Sequence, residues 1–397
     1  MTTPGEKAVA LAQGLIRCPS VTPKDAGALD VLIAPLTKAR FVCDRLTFSE
    51  EGTPAIDNLV ARVGGGPPHL CFAGHTDVVP SGDEALWSHP PFAGEIANGV
   101  LHGRGASDMK GAIACFAAAA LDYAKAKNRE IDGTISLLIT GDEEGPSING
   151  TRKVLKWMEE NGLKPDHCLV GEPSNASKLG ETIKIGRRGS LNGRLKVIGQ
   201  QGHVAYPHLA ANPVKGIVAT LVKLYDEPLD YGSAHFSPSN FEVTSIDVDN
   251  PATNVIPASA EAKFNIRFND RHDVSSLQTM LRDQVSAALS DTELNFTLDF
   301  DPPGDVFLTE PGPLDWLLSE VVHEVTGLTP SLSTDGGTSD ARFIKDYCPV
   351  LEFGLTTETI HKTDENAKVS DLEQLTAIYR RFIERYFETF VGGDDGG

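Results

Sequence analysis

Seven residues of this chain are of types that bind divalent metal ions or transfer protons, and they stand beside glycines or after apolar runs. They are His75, Asp77, Asp108, Glu143, Glu144, Glu172 and His361. Imidazole and carboxylate groups are common ligands of Zn²⁺, and adjacent carboxylates can divide metal binding and proton transfer between them. Two imidazoles and three carboxylates suffice for two metal ions that share one bridging carboxylate. The set therefore indicates a hydrolytic centre with two metal ions.

Each member also has a structural explanation when it is considered alone. His75 and Asp77 are two residues apart on an extended segment, so their side chains share a face, but such a pair is common by chance. Asp108 stands just before a predicted helix, where aspartate frequently caps the first turn. The acidic triplet 142–144 also suits a solvated turn. Only the combination of these residues favours a metal centre.

Two further features suggest contacts with an anionic substrate. The segment 184–190 places Lys184, Arg187 and Arg188 together in a chain whose formal net charge is −20. Arginine suits a carboxylate because its guanidinium donates two parallel hydrogen bonds. The glycines of segment 335–340 allow backbone N–H groups to approach an anion closely. Either segment could equally be an ordinary solvated loop.

The elements that must position these residues alternate between helix and strand in the first half of the chain, which is typical of α/β proteins. The hydrophobic pattern predicts helices at 6–17, 29–40, 111–127 and 151–161, and strands at 58–63, 70–74, 134–140 and 168–171. Ligands of open α/β sheets bind at the carboxyl ends of the strands. The polar residues that follow three of these strands should therefore meet.

The pattern changes from about residue 189. It predicts strands at 190–199, 241–248, 260–268, 294–300 and 349–354, and helices at 212–226, 274–289, 312–326 and 371–390. The order strand, helix, strand, strand, helix, strand is that of a ferredoxin-like domain. We therefore expect a discontinuous α/β catalytic domain, residues 1–188 and 303–397, with a smaller α+β domain inserted at 189–302.

Composition limits the partners and the compartment. The excess of 55 acidic over 35 basic residues would repel nucleic acid and anionic membranes, so neither is expected as a partner. The six cysteines form no CxxC pair and mostly stand in apolar runs, which is typical of free thiols in a reducing compartment. No signal peptide or membrane-spanning segment is predicted, so we expect a cytoplasmic protein. The glycine-rich tail 392–397 should be loose in solvent.

Nine signatures together resemble the M20 family of di-zinc amidohydrolases, in order and in spacing along the whole chain. They are GHTDVVPSGD, GRGASDMKG, GDEEGPSINGT, GEPS, GRRGS, GHVAYPH, NVIP, GGTSDARF and the late His361. The resemblance implies a di-zinc aminopeptidase-like catalytic domain whose inserted domain serves as a lid and forms a homodimer. It implies two Zn²⁺ ions per subunit, with Co²⁺ as a substitute.

The resemblance also implies individual roles. His75 and Glu172 would hold one metal ion, Glu144 and His361 the other, and Asp108 would bridge them before a cis peptide bond to Met109. Asp77 would orient His75, and Glu143 would be the general base. His203 and Asn254 would reach into the active site of the second subunit, where His203 would stabilise the oxyanion. The implied substrate contacts are Lys184, Arg187, Ser190, Tyr206, Asn254, Gly337 and Thr338.

The implied reaction is hydrolysis of N-succinyl-LL-2,6-diaminopimelate to succinate and LL-2,6-diaminopimelate, in lysine and peptidoglycan precursor biosynthesis. Arg187 would bind the succinyl carboxylate. Two positions depart from the signatures of family members with this substrate, namely Thr357, where asparagine is usual, and Ala341, where glycine is usual. Two alternatives stay open: another amidohydrolase of the family, such as an acetylornithine deacetylase or a dipeptidase, and a metal-free binding protein on the same fold.

Overall fold

The computed structural model describes residues 2–391; the predicted loose tail, 392–397, lies outside the described residues. Contacts divide the described chain into two units. The first unit comprises residues 2–185, 309–333 and 339–391, and the second comprises 186–308 and 334–338. The boundaries differ by a few residues from those expected at 188 and 303. The short segment 334–338, expected in the larger domain, belongs by its contacts to the second unit.

The eight predicted helices are present to within a few residues of the predicted positions, and the short helix Ala341–Ile344 was not predicted. Of the predicted helices, those near 213–226 and 274–289 lie in the second unit, and the others lie in the first. The helices are α1 (Pro4–Ile16), α2 (Ala28–Lys38), α3 (Lys110–Ala126), α4 (Thr151–Glu160), α5 (Pro213–Asp226), α6 (Val274–Leu289), α7 (Pro313–Thr326), α8 (Ala341–Ile344) and α9 (Val369–Phe390). None of the helices in residues 2–391 is long and apolar enough to cross a membrane.

The strands include every predicted one and several short ones that were not predicted. They are β1 (Val42–Phe48), β2 (Ile56–His75), β3 (Glu95–Ala97), β4 (Val100–His102), β5 (Asp132–Thr140), β6 (His167–Val170), β7 (Thr182–Lys184), β8 (Gly186–Arg187), β9 (Gly189–Ile198), β10 (Gly202–His203), β11 (Asn240–Asp247), β12 (Val255–Ile256), β13 (Ser259–Phe268), β14 (Asn295–Phe300), β15 (Phe307–Leu308), β16 (Ser331–Ser333), β17 (Val350–Glu352) and β18 (Asn366–Lys368). Apart from the seven-residue β1, the unpredicted strands have two or three residues, too few to show a hydrophobic period.

One prediction about the first sheet was wrong. The strands expected at 58–63 and 70–74 form the single long strand β2. The glycine-rich segment between them stays beside β5, where Gly65 pairs with Asp132 and Gly133 through an irregular register. Gly64 and Gly66 adopt positive φ angles of 85° and 76°, which glycine tolerates without steric cost. The segment was expected to be a loop because glycine and proline usually interrupt strands.

The first unit is built around a mostly parallel sheet in the order β1-β2-β6-β17-β7-β16, with β5 also paired to β2. β5, β2, β6 and β17 run parallel to one another. Helix α3 packs against α1 and α9, and nearly all of its residues are buried. Phe72 of β2 stacks on Phe116 of α3 with ring centroids 4.3 Å apart, so the sheet and the helix share one core.

The second unit has the predicted ferredoxin-like order. Its antiparallel sheet runs β11-β13-β9-β14, and α5 and α6 connect the strands. Buried and exposed residues alternate along β9, so one face of the sheet packs on the two helices. β11 and β14 are the edges of this sheet.

Candidate metal centre

Four neighbouring parallel strands of the first unit deliver most of the predicted ligands to one edge of the sheet. His75 is the last residue of β2, the acidic residues 142–144 follow β5, Glu172 follows β6, and His361 lies in the loop after β17. Parallel strands present their carboxyl ends at the same edge, so residues far apart in sequence are brought together there. His75 is fully buried and Glu172 nearly so.

Asp108 lies between the two imidazoles. Its Oδ1 is 3.3 Å from Nε2 of His75, and its Oδ2 is 3.0 Å from Nε2 of His361. Asp108 does not cap helix α3: Met109 holds the capping position, and no side chain caps that helix. The peptide bond from Asp108 to Met109 is cis, as the resemblance implied. The two oxygens of Asp108 therefore face different histidines, which is the placement a bridging carboxylate needs.

One further carboxylate accompanies each imidazole. Glu172 Oε1 lies 3.6 Å from Nε2 of His75, and Glu144 Oε1 lies 2.7 Å from Nε2 of His361. His75, Asp108 and Glu144 offer ligand atoms within 4.8 Å of one another, and so do His75, Glu143 and Glu172. The cluster thus contains donor atoms for two cations. Because Glu143 also offers a carboxylate oxygen within 4.8 Å of a ring nitrogen of His75, it is a further candidate ligand.

Asp77 connects the end of β2 to the acidic loop after β5. Its carboxylate accepts hydrogen bonds from the N–H groups of Glu143 (3.3 Å) and Glu144 (3.0 Å) and from the Thr22 hydroxyl (2.6 Å). Nδ1 of His75 is 2.9 Å from the backbone carbonyl oxygen of Asp77 and 3.6 Å from its carboxylate. Asp77 therefore orients the imidazole mainly through its backbone, while its side chain holds the two glutamates in place.

Asp142, the first member of the acidic triplet, has a different position. Its Oδ2 accepts hydrogen bonds from the N–H groups of Ile148 (2.8 Å) and Asn149 (2.9 Å), so this oxygen organises the loop that follows. The triplet is therefore divided between one loop-forming residue and two residues of the cluster.

Electrostatic effects in the cluster favour cation binding. Burial and the neighbouring Glu172 carboxylate raise the pKa of Glu143 well above its ordinary value. Burial opposes charge on the His75 ring, yet the nearby Asp108 and Glu172 carboxylates raise its pKa well above the ordinary value. The carboxylates of Asp108 and Glu144 raise the pKa of His361 to about 10. The site thus concentrates negative charge that a divalent cation would neutralise.

Two buried atoms of the cluster support the same conclusion. Within the described part of the chain, Nε2 of His75 and Oδ1 of Asp108 make no hydrogen bond of good geometry. Buried polar atoms without such partners are rare in folded proteins. Here both atoms are of types that bind metal ions, and they face each other, so the residues present fit a metal centre.

The predicted substrate residues are distributed over both units. In the first unit, Lys184 is nearly buried and its Nζ donates to the Ser333 hydroxyl at 3.1 Å. In the second unit, Arg187 is nearly buried and its Nη1 donates to the carbonyl oxygen of Gly337 at 3.0 Å. Thr338 follows Gly337 in the same short segment. Arg187 therefore contacts one residue of its own predicted group, Gly337.

The other predicted residues of the second unit lie nearer to its surface. Ser190 accepts a hydrogen bond from the side-chain amide of Asn265 at 3.0 Å. Tyr206, His203 and Asn254 are exposed, with 57% of Tyr206 accessible. β10, which ends at His203, pairs with β12, which directly follows Asn254. His203 and Asn254, which are predicted to act in a second subunit, therefore lie on neighbouring paired segments.

Sequence reasoning missed three residues that support the cluster: Thr22, Arg104 and Glu365. Glu365 is completely buried and accepts hydrogen bonds from the backbone around Asp108. Its position shortly after His361 was the available signal, but charged residues near a loop are usually solvated. Only the contacts distinguish it from its exposed neighbours.

The chain is similar to known proteins along most of its length. Residues 71–385 match the model of peptidase family M20/M25/M40. The chain is 58% identical over 381 residues to a succinyl-diaminopimelate desuccinylase of Rhodopseudomonas palustris (strain TIE-1), covering 96% of this chain and 98% of the relative. It is 57% identical to the protein of that name from Bradyrhizobium sp. (strain BTAi1 / ATCC BAA-1182), covering 96% and 99%.

A solved structure of much lower sequence identity has a similar fold. It is the YXEP protein of Bacillus subtilis, described as a dinuclear metal-binding peptidase of the M20 family. The TM-score is 0.72 at 16% identity, and the match covers 97% of this chain and 99% of the other.

Proposed function

The chain belongs to peptidase family M20/M25/M40, and we propose that it is a metal-dependent amidohydrolase that converts N-succinyl-LL-2,6-diaminopimelate into succinate and LL-2,6-diaminopimelate. This reaction would supply lysine and peptidoglycan precursor synthesis. The names of relatives 57–58% identical over nearly the whole chain support the substrate. The observation that carries the chemistry is the Asp108 carboxylate, whose two oxygens face His75 and His361.

We propose two Zn²⁺ ions per subunit in this cluster. His75 and Glu172 would hold one, Glu144 and His361 the other, and Asp108 would contact both. Imidazole and carboxylate groups are ordinary Zn²⁺ ligands, and Co²⁺ accepts the same groups and can replace zinc. Bound ions would polarise the scissile carbonyl and lower the pKa of a water molecule to about 7.

Within this site Glu143 would be the general base and Asp77 its support. Glu143 would accept a proton from the attacking water and deliver it to the leaving amine. Burial and Glu172 raise the pKa of Glu143, which suits a group that must hold a proton between these two transfers. Asp77 accepts the Glu143 N–H and so fixes the backbone that carries the base.

The succinyl carboxylate would be bound by Arg187, with the other predicted contacts forming the rest of the substrate site. Arg187 is nearly buried, and its guanidinium already donates to Gly337, so its position is restricted before substrate arrives. A charge-assisted pair with a carboxylate is stronger than a neutral hydrogen bond. The further contacts would come from Lys184, Ser190, Tyr206, Asn254, Gly337 and Thr338.

The second unit would act as a lid and join two subunits. Helix α5 exposes an apolar stripe, Val218, Val222 and Tyr225, on a different side from the face it packs into its own core. Tyr225 accepts the N–H of Val243 on the edge strand β11, so the stripe and the open edge are adjacent. Exposed apolar stripes beside an open edge suit association with a second copy. His203 and Asn254 would then serve the active site of the other subunit.

We expect Val222→Glu to give a monomer with strongly reduced turnover, because a buried charge would oppose association and His203 would be lost to the neighbouring site. Lys223→Glu places the same charge at the next exposed position of the helix, off the stripe, and should stay dimeric. Analytical ultracentrifugation and turnover measured on the same samples check both. A Val222→Glu dimer with normal turnover would contradict this interface.

The cysteines support a reducing compartment, and we propose the cytoplasm. All six are free thiols, and Cys71, Cys115, Cys168 and Cys348 are buried. Cys71 and Cys168 occupy paired positions on the neighbouring strands β2 and β6. The partners proposed for this acidic chain are the small-molecule substrate and a second copy of the chain.

The proposed function is tested by amide hydrolysis of N-succinyl-LL-2,6-diaminopimelate and N-acetylornithine, side by side, with zinc-loaded and chelated protein. We expect hydrolysis of the succinyl compound, abolished by the chelator and restored by added Zn²⁺. Preference for the acetyl compound would retain the metal chemistry and overturn the substrate. A protein that neither binds metal nor hydrolyses either compound would favour a binding protein on the same fold.

A further inference from the structure

Glu365 is a buried carboxylate that the proposed chemistry does not use. Its Oε1 accepts hydrogen bonds from the N–H groups of Ser107 and Asp108, both at 3.0 Å. Its Oε2 accepts from the N–H of Gly105 at 3.0 Å and from Nη1 of Arg104 at 2.8 Å. Glu365 and Arg104 are 0% and 3% exposed. One carboxylate therefore holds the loop that carries Asp108 through four donors.

Arg104 extends these contacts to the other side of the cluster. Its Nη1 also donates to the carbonyl oxygen of Lys362 at 3.1 Å, and its Nη2 approaches that of His361 at 3.5 Å. His361 has a left-handed φ of 58°, which is uncommon for a residue other than glycine and needs support from its surroundings. The pair thus connects the Asp108 loop with the backbone at His361.

We propose that Glu365 and Arg104 are positioning residues that set the spacing between Asp108 and His361, and hence the affinity for the metal ion that Glu144, Asp108 and His361 would bind. This inference rests on the proposed two-metal function. Oδ2 of Asp108 and Nε2 of His361 are 3.0 Å apart, and each belongs to a segment that the pair holds. Neither residue touches metal or substrate in this scheme; both act through the two ligands.

The two metal positions should depend on the pair to different degrees. Asp108 and His361 are two of the three ligands of the position completed by Glu144. At the other position, which His75 and Glu172 complete, Glu365 and Arg104 hold only the ligand Asp108. His75 is held instead by β2 and by the Asp77 carbonyl. Loss of the pair should therefore weaken one ion much more than the other.

Glu365→Gln is the sharpest test because it preserves shape and removes one acceptor. An amide offers a single oxygen, so its NH₂ group must face either the N–H groups of Ser107 and Asp108 or those of Gly105 and Arg104. Glu358→Gln is the matched control: Glu358 is an exposed glutamate in the same loop, and within residues 2–391 only its backbone carbonyl, not its side chain, forms a hydrogen bond. It removes the same charge without touching the Asp108 loop.

The readout is a Co²⁺ titration of metal-free protein, followed by calorimetry and by visible absorption. We expect wild-type protein and Glu358→Gln to bind two ions. Glu365→Gln should bind one ion with near wild-type affinity and the second about 10- to 100-fold more weakly, the usual effect of removing a group that orients ligands. With one equivalent of Co²⁺, its absorption spectrum should match that of wild type. The further spectral change that wild type shows with the second equivalent should be absent in Glu365→Gln at low Co²⁺ concentration.

The outcomes separate this inference from the proposed function. If wild-type protein binds fewer than two ions, the proposed function fails. If wild type binds two and Glu365→Gln binds both with unchanged affinity, or loses both equally, the positioning role is overturned. If circular dichroism shows that Glu365→Gln does not fold, Arg104→Lys replaces it: lysine keeps the charge but cannot donate to Glu365 and both carbonyl groups together, so it should also weaken the second ion alone.

Discussion

Glu143→Gln should reduce turnover of N-succinyl-LL-2,6-diaminopimelate by about 10²- to 10⁴-fold, the usual contribution of a positioned general base, while the protein still binds two metal ions. The amide has the size of the carboxylate but cannot accept the proton. The backbone contact is unchanged, because Asp77 accepts the N–H of residue 143 whatever its side chain. Steady-state kinetics and equilibrium dialysis against Zn²⁺ give the two quantities.

Glu144→Gln is the matched variant for this prediction. Residues 143 and 144 are adjacent, and both donate their N–H groups to Asp77, so the two variants differ mainly in which side chain is neutralised. Glu144 lies 2.7 Å from Nε2 of His361, and its variant should lose metal. A carboxylate oxygen of Glu143 also lies within 4.8 Å of a ring nitrogen of His75. The alternative is therefore an exchange of roles, in which Glu143 binds metal and Glu144 is the general base. Loss of metal from Glu143→Gln, with retention by Glu144→Gln, would require that exchange.

Arg187→Met should lower kcat/KM for the succinyl substrate by about 10- to 150-fold. Methionine keeps an apolar side chain of similar length but removes charge-assisted hydrogen bonds, which are worth about 1.5–3 kcal/mol, and about 1.4 kcal/mol corresponds to a factor of ten. The free energy of unfolding should fall as well, because the variant also loses the hydrogen bond to the carbonyl oxygen of Gly337. The measurement is kcat/KM with the succinyl and acetyl substrates in parallel.

The acetyl substrate is the internal control, since it carries no carboxylate on its acyl group. Its slow hydrolysis, if measurable, should change little in Arg187→Met. Arg194→Met is the control variant, because Arg194 lies in the same unit with more than half of its side chain exposed, 3.5 Å from Glu261. Equal losses with both substrates would mean that Arg187 maintains structure and does not select the acyl group.

Much of the fold was predictable because its long elements have clear hydrophobic periods. The buried and exposed residues of β9 alternate, and α9 buries one continuous side, so both were located from sequence within a few residues. The three-residue strands β3, β4 and β18 have no such period, and β2 was divided in two by its glycines. Local signals therefore failed where a strand is very short or where pairing with a distant strand decides the conformation.

The candidate site was likewise predictable only in part. His75, Glu143, Glu144 and Glu172 follow apolar strands, and strand ends are where an α/β sheet places its ligands, so their association was predictable. Asp108 was ambiguous between a helix cap and a ligand until its two oxygens were found facing different histidines. Glu365 had no distinguishing signal, because burial of a charged residue depends on which donors the fold brings to it.

Sequence alone determined the types of the candidate metal ligands and their order along the chain. It also determined the α/β and ferredoxin-like order of elements in the two units, and the family. These follow from side-chain chemistry and from periodicity, which are local properties. The tertiary structure alone decided that Asp77 holds the acidic loop, that Asp142 organises the next loop, and that Glu365 and Arg104 connect the segments of Asp108 and His361. Apart from the Asp142 contacts, which span six and seven residues, these contacts join residues distant in sequence. Their geometry exists only once the chain has packed.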